Sequence, residues 1–544
     1  MKRRNLFLSL ISSVIVAVAI VTVTICTVIP KKKAQQGGNP GVTTPIVDVN
    51  DTKKYEDMNL NERDGSEAKP YVLYSAESFV DMLEDFGGTA GMHFEVVKDI
   101  DFAGFNYNNE ENKGFVTLFN NGLPFKGNID GKGFALNNIT INVTKENLES
   151  DFSYAYDGNR YASIALFGEM EGSTIKNLGI NKLDVNVASD VYGFISGAGY
   201  EMPNAPFAEM VVAGFAGITR NVTLSKVEVN AEVAGSAYII NGVSAKNAIG
   251  GISAVSNDLK VEASKINVKI EANSGKDYLV GGVAGYGYNV EVNKSEISTN
   301  IETTASRNLI MAGVFAYARA FDGSDLKVNF ALAETASQQV RDAYIKNLTT
   351  DNKGNACYAD AGKMSLIAGI VATLRANDST QETNLSNINV NSNVDFDGVF
   401  AGAIFDVYSK NKATFGLVEL HNIIVTADVN VLAVHGFARQ LVATTVTYDN
   451  TDAEGYYNIK ITGNVNFEKY VGTIITTDLL TNESSVKTVT YHAATIFTAN
   501  EVKYVEGRYK DLFIQASSDI DATLQTGING LSIRIGAFGS YTKI

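Results

Sequence analysis

Tryptophan is absent from this 544-residue chain, proline occurs only 7 times and cysteine only twice. So little proline excludes a mucin-like stalk, and 48 glycines beside it suit a chain of many short strands and turns. Cys26 and Cys357 stand far apart, with Cys26 inside an apolar segment, which excludes a disulfide framework. Four histidines are present, His93, His421, His435 and His492, and none stands in a His-Glu-x-x-His helix of the zinc-peptidase kind. A Gly-x-Ser-x-Gly elbow and a phosphate-cradling Gly-Lys-Ser/Thr loop are missing as well. Positive charge is also scarce: beyond the first 33 residues, 39 bases face 60 acids, without the basic patch that sequence-independent nucleic-acid binding needs. Nucleic acid is not an expected partner, and no cofactor, metal or catalytic residue is expected.

What the chain does have is a returning unit. A small-residue pair inside an apolar run is followed by a polar turn and then by alternating apolar residues. Ala213-Gly214-Phe215-Ala216-Gly217 precedes Val227, Val229 and Val233, Gly250-Gly251 precedes Ile266, Val268 and Ile270, and Ala312-Gly313 precedes Leu326, Val328 and Phe330. Similar units begin at Gly168, Gly281-Gly282, Gly369, Gly402 and His435-Gly436, mostly about 31 to 37 positions apart, inside the window that signals solenoids.

Alternation at period two gives each unit a strand with one face inward. Such a strand is not stable alone, but coaxial stacking buries the Val and Ile sets and pairs every strand with its neighbours. The expected fold is therefore all-β, a parallel β-helix solenoid over 161–493, with an N-terminal cap and first rungs over 70–160 and a C-terminal capping region over 494–544. A short capping helix is expected from Ser75, with Phe79, Val80, Leu83 and Phe86 at helical spacing. Ahead of it, residues 34–69 show neither period and read as a flexible linker.

Residues 1–33 read as a signal anchor or signal peptide. Lys2-Arg3-Arg4 precedes an apolar stretch long enough to span a bilayer, and Lys31-Lys32-Lys33 follow it. Residues 5–29 are the expected membrane contact, with an uncleaved anchor favoured and the body outside the cell.

The run Tyr71-Val72-Leu73-Tyr74-Ser75-Ala76, then His93 to Phe102, then Phe125-Lys126-Gly127-Asn128-Ile129-Asp130-Gly131 and Leu136-Asn137-Asn138-Ile139, leads into Leu166-Phe167-Gly168 and Ile175-Lys176-Asn177-Leu178. Over about 71 to 187 this resembles bacterial surface proteins that carry GLUG-type repeats; later units keep the small-residue pair without the Ile-x-Asn-Leu signature. The resemblance implies a right-handed parallel β-helix on an exported, surface-attached protein that serves adhesion or carbohydrate contact.

Parallel β-helices also carry polysaccharide lyases and hydrolases, whose chemistry needs clustered acids. Asp99/Asp101, Asp395/Asp397 and Asp519/Asp521 have the i, i+2 spacing that puts both carboxylates on one strand face, which is equally the spacing of a solvated face. A different signal is the distance from marker glycine to strand. It is 12 to 15 residues in the units from Gly168 to Gly313, then 19, 21 and 23 after Gly369, Gly402 and Gly436. Insertions at one position of a solenoid project from one face, often the binding face. They hold Tyr408, Phe415, Tyr448, Tyr456 and Tyr457, rings suited to stacking on a sugar or anchoring a protein partner. The expected function is a non-enzymatic, surface-tethered protein for glycan or protein binding, with a carbohydrate-active β-helix enzyme and a structural surface stalk as alternatives.

Overall fold

A computed structural model describes residues 51–105, 117–119, 123–144, 154–156, 159–188, 210–236, 247–273, 278–303, 309–337, 365–375, 383–409 and 418–435, then the backbone of short strands up to Lys543. Side chains are described for most of these residues up to Ile404, with 154–162, 234–236, 397 and 399 among the exceptions, and again over 423–427. Residues 1–50, with the anchor expected there, lie outside it.

The alternating runs are strands, and the spacing of the units is the spacing of coils. One coil consists of Met210–Ala213, Ala216–Ser225 and Glu228–Ser236, the next of Asn247–Gly250, Ser253–Glu262 and Lys265–Asn273, and the next of Tyr278–Gly281, Ala284–Asn293 and Glu296–Thr303. Each strand pairs in parallel with its counterpart one coil on, giving three ladders, here A, B and C in chain order. Register holds over the stack: in ladder C, Val229 pairs with Ile266, Ile266 with Ile297, Ile297 with Val328 and Val328 with Val390. The chain is thus mostly β with large parallel sheets, the pairing expected of a parallel solenoid. The inward Val, Ile and Phe residues of successive coils form one continuous core, in which each fully buried Val or Ile contributes about 1.5–3 kcal/mol.

Two bends per coil are made by residues in the left-handed region. Ladder B kinks at Asn221, Asp258 and Asn289, and turns into ladder C at Lys226, Ala263 and Lys294. Asn and Asp tolerate that conformation because their short polar side chains bond locally. From Gly369 on, the kink of ladder B is where the chain lengthens. Arg375 and Tyr408 pair in register before it, and Thr383, Val418 and Ile459 pair in register after it. The insertions therefore fall at one corner of successive coils.

Ladder A passes into B through the small-residue pair, and there the backbones meet. A Cβ on Gly214 would lie 2.6 Å from the carbonyl oxygen of Gly251, and one on Gly251, Gly282 or Gly313 would press still closer on Gly282, Gly313 or Gly369. Each such Cβ would also strike ladder C: Ala231 from Gly214, Val268 from Gly251. The marker glycines are a stacked column with no room for a side chain.

Ladder A and the part of ladder B before its kink are buried on both faces. One face joins the main core, and the other forms a second cluster of Val211, Ala213, Ile218, Ala254, Tyr286 and their neighbours. Beside it Glu169, fully buried, receives both Nη1 and Nη2 of Arg220 at 2.9 and 2.5 Å.

At the N-terminal end Ser75 caps a helix, Ala76–Phe86 (α2, following α1 below), through a capping box with Ser78. Phe79, Val80 and Leu83 are buried in the main core, and Phe79 lies edge-on to Phe102 at 5.6 Å. Part of the expected linker is ordered: Asp51–Asn61 is a helix, α1, whose Tyr55 stacks on Tyr74 at 5.3 Å. From its end, Asn59 donates to the Val72 carbonyl at 3.0 Å and accepts from the Val72 N–H at 2.8 Å. That amide takes the place of a neighbouring strand beside Tyr71–Leu73, whose other side pairs with His93–Val96.

Past Ile459–Thr477 the pairing becomes antiparallel, with Ser484–Tyr491 folding back on it, while Phe538–Lys543 returns to pair in parallel with Ala438–Ala443.

Candidate functional site

On the outer face of ladder C an open groove of about 720 Å³ runs from Lys182 and Asp184 to Thr426 and Ala427. Its direction follows from the sheet. Outward residues of successive coils stand in columns along the axis, so the trough between two columns crosses every strand. Seven strands contribute, and six steps of about 4.8 Å make it roughly 29 Å long.

One wall is a column of amides. Asn181 donates to Asn137 at 3.1 Å, Asn230 to Asn181 at 3.3 Å and Asn267 to Asn230 at 2.7 Å. Asn329 then donates to Ser298 at 3.1 Å and Asn391 to Asn329 at 3.3 Å. Every one of these bonds runs from a later coil to an earlier one, so the amides are aligned. The other wall is Asp184, Glu232, Lys269, Asn300, Ala331 and Asn393, which pair in sequence through ladder C. The floor is the column between them, Ala231, Val268, Thr299, Phe330, Ser392 and Ala427, all buried.

The charges are confined to the first coils of the groove and cancel there. Lys269 is held by Glu271 at 3.1 Å, Glu232 at 3.2 Å and Glu302 at 3.2 Å. Hydrogen bonds to Glu271, Glu232 and Glu302 raise its ammonium above the usual lysine range. Burial raises the Asp184 carboxyl and Glu232 adds to the effect, against the pull of Lys182. From Ser298 to Ala427 the lining carries amides, hydroxyls and apolar groups and no ionisable side chain.

The acids singled out by spacing do other work where they are described. Asp99 accepts from the Ala135 N–H at 2.9 Å, and Asp101 accepts from Asn138 at 2.9 Å and from the Ala103 N–H at 3.0 Å. The bond from Asn138, then that from Ala103, lowers the Asp101 carboxyl below its ordinary range. Asp395 points outward from ladder C; the side chain of Asp397 and the pair Asp519/Asp521 lie outside the described residues. Among the described residues, no group of three or more His, Cys, Asp or Glu is placed to hold a metal ion.

Of the five candidate aromatics, Phe415, Tyr448, Tyr456 and Tyr457 lie outside the described residues. The backbone of Tyr408 belongs to strand Ile404–Ser409, between Arg375 and Val442 in ladder B. That column also holds Tyr288 and Arg319, whose guanidinium lies 5.8 Å over the Tyr288 ring, while Arg375 lies 5.3 Å over Tyr317. The amide column was not anticipated. Its signal is an Asn directly after an inward Val or Ile: Ile180-Asn181, Val229-Asn230, Ile266-Asn267, Val328-Asn329, Val390-Asn391.

No protein-family model matches the chain, and a search among curated proteins finds no match. Among solved structures it is similar to a protein from Bacteroides ovatus provisionally named an immunoglobulin A1 protease, at 14% identity and a TM-score of 0.33, over 57% of this chain and 86% of that one.

Proposed function

We propose that this chain is a non-enzymatic surface protein of the kind that GLUG-type repeats build. In this reading a right-handed β-helix is closed by α2 at one end, tethered through residues 5–29, and holds a binding face away from the cell for adhesion or glycan contact. The observation that carries the reading is the groove on ladder C: a long axial trough whose amide-bearing walls are set by register and whose largely apolar floor is the closed core. A rigid array of donors and acceptors at fixed spacing is pre-organised for an extended partner, which lowers the ordering cost of binding. The lengthened loops at the kink of ladder B, with Phe415, Tyr448, Tyr456 and Tyr457, supply a second contact region.

The test is binding of the full chain, presented on vesicles or cells, to an immobilised glycan panel and to host-cell surfaces. Saturable binding together with no product release from acidic polysaccharides, with or without calcium, is the expected result. Release of oligosaccharide products would replace this reading with the enzyme, and absence of any ligand on an abundant protein would replace it with the stalk.

A further inference from the structure

We infer that the groove on ladder C takes a linear, uncharged glycan laid along the axis of the stack, an inference that rests on the binding reading above. Three observations carry it.

The first is charge. The lining holds Lys182 and Lys269 against Asp184 and Glu232, and Lys269 already lies among three carboxylates, so there is little cationic attraction to offer a uronate, sialate or sulfate. The stretch from Ser298 to Ala427 has no ionisable lining at all. The body as a whole carries an excess of acids, which disfavours a polyanion at long range.

The second is hydrogen-bonding capacity. An amide has two N–H donors and two acceptor lone pairs. Asn230 uses one N–H and one acceptor site within the column, and Asn267 and Asn391 each use one N–H. Each therefore keeps a donor and an acceptor side by side. A sugar hydroxyl, which donates and accepts from one atom, is matched to that pair, and such pairs stand on three coils, at Asn230, Asn267 and Asn391, whereas Asn329 spends its N–H groups on Ser298 and Glu296.

The third is the state of the backbone. Ladder C strands are paired on both sides, so no strand edge is open for an extended peptide to join as an added strand. Recognition has to run through side chains along the axis, which suits a polymer whose hydroxyls repeat along its length.

The experiment measures binding of the full chain to immobilised linear glucan, mannan and galactan, and to polygalacturonate and heparin, at low and high salt. It is repeated with Asn267→Ser and Asn391→Ser, singly and together. Serine already occupies this column at Ser298, so these variants keep a residue type that the ladder accepts. The expected result is binding to one or more neutral glycans with little salt dependence, weakened about 2- to 10-fold per lost amide. Tighter binding to the acidic polymers, lost at high salt, overturns the inference while leaving a binding protein. Neutral binding untouched in the double variant but lost in Tyr448→Ala/Tyr456→Ala/Tyr457→Ala overturns the groove as its site. Binding to proteins alone, or to nothing on the panel, overturns the inference, and absence of every ligand removes the binding reading with it.

Discussion

The corner between ladders A and B and the outer face of ladder C belong to the same coils and have opposite tolerance for change. At the corner both faces are buried and the glycines stack without space for a Cβ, and close by the buried carboxylate of Glu169 is tied to the half-buried Arg220 of the next coil. On the outer face of ladder C the amide column admits Ser298 and Thr426, and the facing column passes from Asp to Glu, Lys, Asn and Ala. Packing fixes the first set of positions, whereas the second is left free for recognition. A site written on the second can change its ligand without changing the fold.

The sharpest way to break that contrast is at Glu169. Its side chain is closed off from solvent and its charge is met by Arg220. Arg220→Met leaves the carboxylate in place and is expected to lower stability by about 3–5 kcal/mol, whereas Glu169→Leu with Arg220→Met costs much less, because no unpaired charge remains buried. Urea midpoints of the two variants check this; equal losses would show that the pair is not the source. Next in size is Gly282→Val, whose new side chain would meet the Gly313 carbonyl and the Thr299 hydroxyl. Overpacking against backbone costs about 1–3 kcal/mol or more. An unchanged midpoint would mean that the corner yields and that the glycine column is not a constraint.

Asn59→Ala moves the test to the end of the stack. It removes both side-chain bonds to Val72 and is expected to cost about 1–2 kcal/mol. It also uncovers the edge of Tyr71–Leu73, so self-association should rise in light scattering. A variant that stays as stable and as monodisperse as the parent would assign the edge protection elsewhere.

The legibility of these features differs for physical reasons. The coils could be read because Val and Ile at period two and the small-residue pair are local patterns, and Ser75 with Phe79, Val80 and Leu83 announces α2 in the same way. Helix α1 could not. Asp51–Asn61 has little apolar periodicity, and what fixes it in place is Tyr55 on Tyr74 and Asn59 on Val72, contacts across a turn that no period encodes. The second cluster is hidden in runs such as Val211-Val212-Ala213, where a short continuous apolar stretch does not reveal that its two faces enter different cores. The amides of ladder C were visible as the polar half of an alternation. They become a column only once Asn230, Asn267, Ser298, Asn329 and Asn391 are placed in register.

A smaller effect separates a turn from the groove by pH. Burial alone would raise the Asp130 carboxyl, but the bond from Asn177 at 3.1 Å, that from the Lys132 N–H at 3.0 Å and the Lys132 charge outweigh it and hold the group below its ordinary 3.8. A depressed folded pKa means that the stabilisation is complete above about pH 4 and is lost as the pH falls through the folded value. The thermal midpoint of the parent should therefore drop more between pH 5 and pH 3 than that of Asp130→Asn. Parallel acid limbs would show that the turn gains nothing from the ionised form.

The smallest expected change is also the one that bears on function. The amide bonds of ladder C are exposed or half-buried and replace bonds to water, and Ser298 already interrupts the column without disturbing its register. Asn267→Ser with Asn391→Ser should therefore leave the urea midpoint within about 0.5 kcal/mol of the parent. The same double variant is the one expected to lose ligand. A near-neutral midpoint with lost binding places recognition on the face and stability at the corner. A loss of several kcal/mol would make the amide column part of the scaffold, and the difference between the two regions would vanish.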